Sequence, residues 1–177
     1  TAPGLNQIGR ISAGGDLTLL DIPQPQAQPA MLTIASDGTV WAALNAAGAL
    51  AQVRDGVVHI VDLPGGRAPA APVGVASGDS GIWYADIAGG CVGHVEPSGG
   101  VTQILLPDAA SRPHAVAADR DGSCWVTLWG SGRLARVTDQ GEIHERLLPG
   151  QEPHGLWVDA THVWVAMESG SLVAVRK

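Results

Sequence analysis

Phenylalanine is absent from all 177 residues. The space between packed elements must therefore be filled by Trp, Val, Leu and Ile. Cysteine is nearly absent: Cys91 and Cys124 are too few and too far apart for a disulfide framework or a zinc site. Isolated cysteines of this kind are expected to be small buried thiols. No Lys/Arg cluster occurs, and the net charge of −7 argues against nucleic acid or an anionic membrane as partner. No apolar run approaches membrane-spanning length, and no signal peptide opens the sequence, so a cytoplasmic location is expected. What is abundant is apolar residues, at 45%, and glycine, at 24 residues. That composition suits many short strands joined by tight turns, in a chain long enough for one domain with a sizeable core.

Trp41, Trp83, Trp125 and Trp164 recur at intervals of 42, 42 and 39 residues, each inside a near-copy of one motif. The copies read PAMLTIASDGTVWAAL, PVGVASGDSGIWYAD, PHAVAADRDGSCWVTL and PHGLWVDATHVWVAM. Each runs from Pro through a short apolar stretch and a polar turn to the tryptophan. A period of about 40 residues built from short β segments marks an all-β fold, the β-propeller, with one four-stranded blade per repeat. In the clearest repeat, Ala115–Asp119, Ser123–Leu128, Arg133–Thr138 and Glu142–Leu148 read as strands A to D. The chain then divides into a partial blade at 1–28, blades at 29–71, 72–112 and 113–152, and a last blade at 153–177 lacking its outer strand. About four blades with open edges would leave unpaired strands at both ends. A larger ring is therefore expected, completed by another polypeptide segment or by a second copy.

Strands that alternate in direction place the D-to-A crossing and the B-to-C loop of each blade on one face. After the opening Pro the blades carry Ala30, Val73, His114 and His154; before it, Gln28, Ala71, Arg112 and Glu152. Four residues beyond the tryptophan they carry Asn45, Ile87, Trp129 and Glu168. The last two repeats thus gather His114, His154, Glu152 and Glu168 on one face near the central channel. Pro153 disfavours helical geometry at Glu152, and an extended segment would point Glu152 and His154 to the same side. Two carboxylates and two imidazoles around one mouth suit a divalent cation with a general base, and carboxylate ligands favour a hard ion such as Mg²⁺ over zinc. A cation there would offset the carboxylate field that otherwise keeps His154 protonated. Trp129 at the same mouth is a candidate platform for an apolar or aromatic ligand. His59, His94, His144 and His162 fall elsewhere on the blades and read as structural, and the four periodic tryptophans read as packing between blades.

The segments RPHAV (112–116), EPHGL (152–156) and WVAMES (164–169), with TLWGSGRLARV between them and APVGV at 71–75, resemble the virginiamycin B lyase family of streptogramin B lyases. The resemblance implies a seven-bladed propeller of which this chain is the C-terminal portion. It implies a Mg²⁺-dependent carbon–oxygen lyase that inactivates a cyclic depsipeptide antibiotic by elimination at its ester. In those terms His154 is the base, Glu152 and Glu168 hold Mg²⁺, and His114 contacts substrate. The sequence departs from the family where Glu is often found three residues beyond the tryptophan: these positions are Leu44, Asp86, Leu128 and Met167. Two other readings suit the same scaffold, a metal-dependent lactonase or esterase and a non-catalytic propeller that binds peptides.

Overall fold

Short apolar stretches separated by Gly- and Asp-bearing turns produce strands of five to seven residues and almost nothing else. The computed structural model spans residues 1–177 and contains one 3-10 turn, Pro3–Leu5, before seventeen strands. The first sheet pairs β1 (Gln7–Ile11) with β2 (Leu17–Asp21). The second runs β3 (Pro29–Ile34), β4 (Val40–Leu44), β5 (Ala49–Arg54) and β6 (Val57–Asp62). The third runs β7 (Pro72–Gly78), β8 (Gly81–Asp86), β9 (Cys91–Val95) and β10 (Val101–Leu105). The fourth runs β11 (Pro113–Ala118), β12 (Cys124–Leu128), β13 (Arg133–Val137) and β14 (Ile143–Leu147). The fifth has three strands, β15 (Pro153–Val158), β16 (His162–Met167) and β17 (Leu172–Arg176). Every pairing is antiparallel between chain neighbours, which is the meander of a propeller blade. No helix is long and apolar enough to cross a membrane.

The core lies between the sheets, because the two middle strands of each four-stranded sheet are largely buried on both faces. Strand parity assigns the faces. On β4, Ala42 and Leu44 pack toward Ile8 of the first sheet and toward Ile22 and Ala27 in the crossing after it, while Trp41 and Ala43 pack toward Val75, Ile82 and Tyr84 of the third. The same division recurs further on: Trp83, Ala85 and Val92 meet Val116, Val126 and Val137, and Leu134 and Leu148 meet Val163, Val165 and Met167. Outer strands alternate instead, as β14 does from Ile143 to Arg146, with His144 and Arg146 exposed and Ile143 and Glu145 half-buried. Without phenylalanine, tryptophan and valine fill these layers against alanines that let the sheets approach. Cys91 and Cys124 are free and buried as expected; burial, then the Asp86 carboxylate, pushes the Cys91 thiol up to about 12.

One backbone hydrogen bond repeats in every complete A–B pair. The N–H of the residue four past the tryptophan donates to the carbonyl of the residue before the opening Pro. The pairs are Asn45 to Gln28 (3.1 Å), Ile87 to Ala71 (3.3 Å), Trp129 to Arg112 (3.0 Å) and Glu168 to Glu152 (3.1 Å). This clasp ties each D-to-A crossing to the B-to-C loop at the same rim. It also corrects an expectation. Gln28, Arg112 and Glu152 have φ of 51°, 47° and 56°, so Glu152 is left-handed rather than extended. Each strand A then carries a register shift just after its Pro, between Pro113 and Val116 and between Pro153 and Leu156 in the last two sheets. Simple alternation therefore fails across Glu152, Pro153 and His154.

Gly74 shows how tightly the third and fourth sheets meet at the rim. A Cβ there would collide with the His114 carbonyl oxygen and press on Ala115 Cα and Val116 N at 3.0 Å, all of them backbone atoms that cannot swing aside. Gly74→Ala is expected to lower stability by about 1–3 kcal/mol, the usual cost of overpacking. Denaturant unfolding of the variant beside the parent protein measures it; an unchanged midpoint would show that the sheets have slack here.

Candidate functional site

The clasp brings the loop residue and the crossing residue of each blade side by side, so the side chains at those positions share one rim. In the first blades they are amide or apolar. In the last two sheets they are Arg112 with Trp129 and Glu152 with Glu168, three of the four charged, and the histidines that follow each Pro stand beside them. His114 is the second residue of β11 and His154 the second of β15, each inside the register shift that follows the Pro. Their rings lie 4.0 Å apart between centroids and 42° from coplanar. His154 Nε2 is 3.7 Å from Glu168 Oε1, with side chains 47% and 43% exposed. The same Oε1 accepts the Trp129 indole N–H at 3.1 Å. Arg112, which the sequence comparison did not single out, lies over the Trp129 ring at 5.7 Å, a cation–π distance.

The structure thus joins His114, His154, Glu168 and Trp129 by direct contact. Trp129 is a strut rather than a bare platform: its N–H is committed to Glu168, and Arg112 covers one face. Glu152 joins through its backbone alone, at the clasp. No ion pair links it to His154, and its side chain borders a cleft with Trp129, Gly130, Leu147 and Gln151. The left-handed φ at Glu152 is the reason, since it turns the side chain away from the direction that alternation would give. Of the remaining histidines, His94 stacks on Trp83 at 4.5 Å and His162 lies 5.9 Å from Trp164, both away from this rim. His59 lies on β6 and His144 on β14, the outer strands of their sheets.

Burial pushes the His114 pKa down, and the charge of His154 pushes it further, against the His154 carbonyl and the Glu168 carboxylate, which favour protonation. The Nδ1 of His114 is buried without a hydrogen-bond partner, which adds to the cost of charging it. The two rings are therefore placed differently: His114 is half-buried and resists a proton, whereas His154 lies at the surface 3.7 Å from the Glu168 carboxylate.

No group of three or more His, Cys, Asp and Glu side chains is arranged to hold a metal ion. A tight all-protein cage is therefore not built here. The donor set nevertheless suits Mg²⁺, which retains several waters and is commonly held by one or two carboxylates. Glu168 keeps Oε2 without a protein hydrogen-bond partner, and Glu152, exposed, meets Glu168 through the backbone clasp.

These sheets and this rim define a β-propeller whose ionisable residues are concentrated where two neighbouring blades meet. The Virginiamycin B lyase family matches residues 1–175, and the chain belongs to that family. It is 48% identical over 153 residues to a virginiamycin B lyase of Nocardia farcinica, covering 85% of this chain and 54% of that protein. The structure of selenomethionine-substituted virginiamycin B lyase from Staphylococcus aureus superposes with a TM-score of 0.91 at 28% identity, over 99% of this chain and 60% of that one. A streptogramin B lyase structure superposes with a TM-score of 0.86 at 29% identity, over 96% and 59%. The chain thus spans about half the length of the curated relative it matches.

A depressed histidine pKa has a defined consequence for stability. The His114 contribution is complete above the ordinary histidine value of 6.5 and is lost as pH falls through its lower folded value. By NMR, His114 is expected to titrate below 6.5, to move up in His154→Gln and to move down in Glu168→Gln. A His114 midpoint indifferent to both substitutions would contradict the contact described.

Proposed function

We propose that this chain carries the catalytic rim of a lyase that linearises streptogramin B-type cyclic depsipeptides by elimination at the ester, inactivating the antibiotic in the cytoplasm. The observation that carries this reading is the contact of His154 with both Glu168 and His114 at one exposed rim, within a chain of the virginiamycin B lyase family.

The chemistry needs one strong requirement met: removal of a weakly acidic proton α to a carbonyl. His154 takes the α-proton of the residue whose β-oxygen carries the ester. The released electron pair forms the Cα–Cβ double bond, the Cβ–O bond breaks, and the carboxylate departs without needing an acid. Glu168, 3.7 Å from Nε2, stabilises the imidazolium as it forms. Trp129, itself covered by Arg112, holds Glu168 in place through its indole N–H. His114, kept neutral by burial and by its neighbour, is suited to donate or accept a hydrogen bond at the substrate without competing for the proton. Glu152 and Glu168 would hold Mg²⁺, which when bound supplies a Lewis acid for the negative charge that develops on the substrate carbonyl. Trp129's free face would meet an apolar substrate side chain.

The whole protein is proposed to be a larger ring. The first sheet here has two strands and the last has three, and the chain spans 54% to 60% of the relatives it matches. Those fractions suit four blades of seven, with the remaining blades supplied by a further segment or chain.

Mass spectrometry of quinupristin incubated with the full-length protein separates elimination from hydrolysis. Elimination leaves the product mass unchanged and creates a dehydrated residue with new ultraviolet absorbance, whereas a lactonase or esterase adds one water. Removing the base by His154→Ala is expected to cost about 10²–10⁴-fold in kcat, and excess chelator is expected to abolish turnover. Full turnover by that variant, or in chelator, would remove the catalytic assignment.

A further inference from the structure

We propose that Thr127 is a positioning residue that fixes the His114–His154 imidazole pair across the blade junction. Its place in the reaction rests on the lyase reading above, but its effect on the rings does not.

Thr127 lies on β12 and is fully buried. Its Oγ1 accepts the backbone N–H of Ala115 at 2.9 Å and donates to the carbonyl of His154 at 3.0 Å, the Ala115 carbonyl being a longer alternative at 3.4 Å. One hydroxyl therefore stands between the residue that follows His114 and His154 itself, on neighbouring sheets. Both backbone groups fall inside register shifts, between Pro113 and Val116 and between Pro153 and Leu156, where the strand ladders are interrupted. A buried backbone group without a ladder partner needs another one. Thr127 satisfies one from each blade with a single atom.

The repeat shows that blade stacking does not itself require this hydroxyl. Two residues past the tryptophan the other blades carry Ala43, Ala85 and Ala166. Ala43 and Ala85 are as fully buried at their own junctions; the second sheet, from Pro29 to Leu32, has the same interrupted pairing as the fourth, while in the third the ladder resumes earlier, at Gly74 and Ala85. The hydroxyl appears only at the junction where both flanking strands carry histidine after the Pro. Its bonds set how β15 sits against β11, and hence the 4.0 Å ring separation and the approach of His154 to Glu168. The side chain touches neither ring, so it acts by holding backbone rather than by sharing in proton transfer.

The test uses the full-length protein with Thr127→Val, Thr127→Ala and Thr127→Ser. Valine keeps the shape and removes the hydroxyl, alanine is the residue that the other blades already accept there, and serine restores the hydroxyl alone. Cross-relaxation between the His114 and His154 ring protons is the direct readout. It should be strong in the parent protein and the serine variant, and weakened or lost in the valine and alanine variants. With quinupristin as substrate, the hydroxyl-free variants should lose about 10- to 100-fold in kcat, the scale of a misplacement near 1 Å. KM should stay within about twofold, and serine should recover most of kcat. Parent-like ring contacts in the alanine variant, or failure of serine to restore them, would overturn the proposal. A parent protein inactive on quinupristin would instead sink the lyase reading and leave the ring measurement to decide on Thr127.

Discussion

A single backbone hydrogen bond, closed once in each A–B pair, governs where this molecule keeps its chemistry. By joining the residue before the strand-A proline to the residue four past the tryptophan, it forces crossing and loop onto one rim in every blade. Whatever side chains occupy those two positions must share that rim. The bond is not free of cost: in three of four blades its acceptor is a non-glycine residue at positive φ, a conformation worth about 1–2 kcal/mol against an L residue. Such strain persists only where the surroundings over-determine it. Here they do, since the proline, the crossing and the loop are each fixed by their own sheet.

The interruption in strand A is the second half of the same device. A regular ladder would send His114 and His154 alternately in and out with their neighbours. The shift after each Pro instead frees these residues from the ladder and leaves buried backbone groups for Thr127 to satisfy. Electrostatics then divides the two imidazoles. His114 is half-buried with an unpartnered, buried Nδ1, and burial disfavours its charged form, while His154 sits half-exposed against Glu168. Two rings of one residue type thus meet in unlike surroundings, 4.0 Å apart.

Tryptophan spacing made the propeller legible, because interblade packing must recur once per blade whatever else varies. Position relative to Pro and Trp likewise made the rim legible, and comparison between repeats exposed His114, His154 and Glu168. Glu152 was legible as a rim residue but not in its orientation: the rule that a residue before proline is extended lost to the demand of the clasp. Trp129 was visible as a break in the repeat, yet its bonds to Glu168 and its contact with Arg112 depend on loop geometry that no local pattern encodes. Thr127 carried a signal in the sequence, threonine where the other repeats have alanine. That signal has no meaning without the fold, since a hydroxyl's partners are set by the bulges on either side of it.

The site spans the junction between the fourth and fifth sheets. His114, Trp129 and Arg112 belong to a sheet packed on both faces, between the layers around Val116 and Leu134. His154 and Glu168 belong to the three-stranded last sheet, whose inward face holds Val163, Val165 and Met167 in the core. Its other face leaves Trp157 at 63% and Leu172 at 65% exposure, and nothing lies within 4 Å of where a Gly155 Cβ would stand. The ties that cross the junction, Trp129 to Glu168 and Thr127 to His154, join the two sheets at the rim itself, one through a side-chain pair and one through a buried hydroxyl on backbone. They couple the two halves of the site directly, so the imidazole pair keeps its geometry to the extent that they hold.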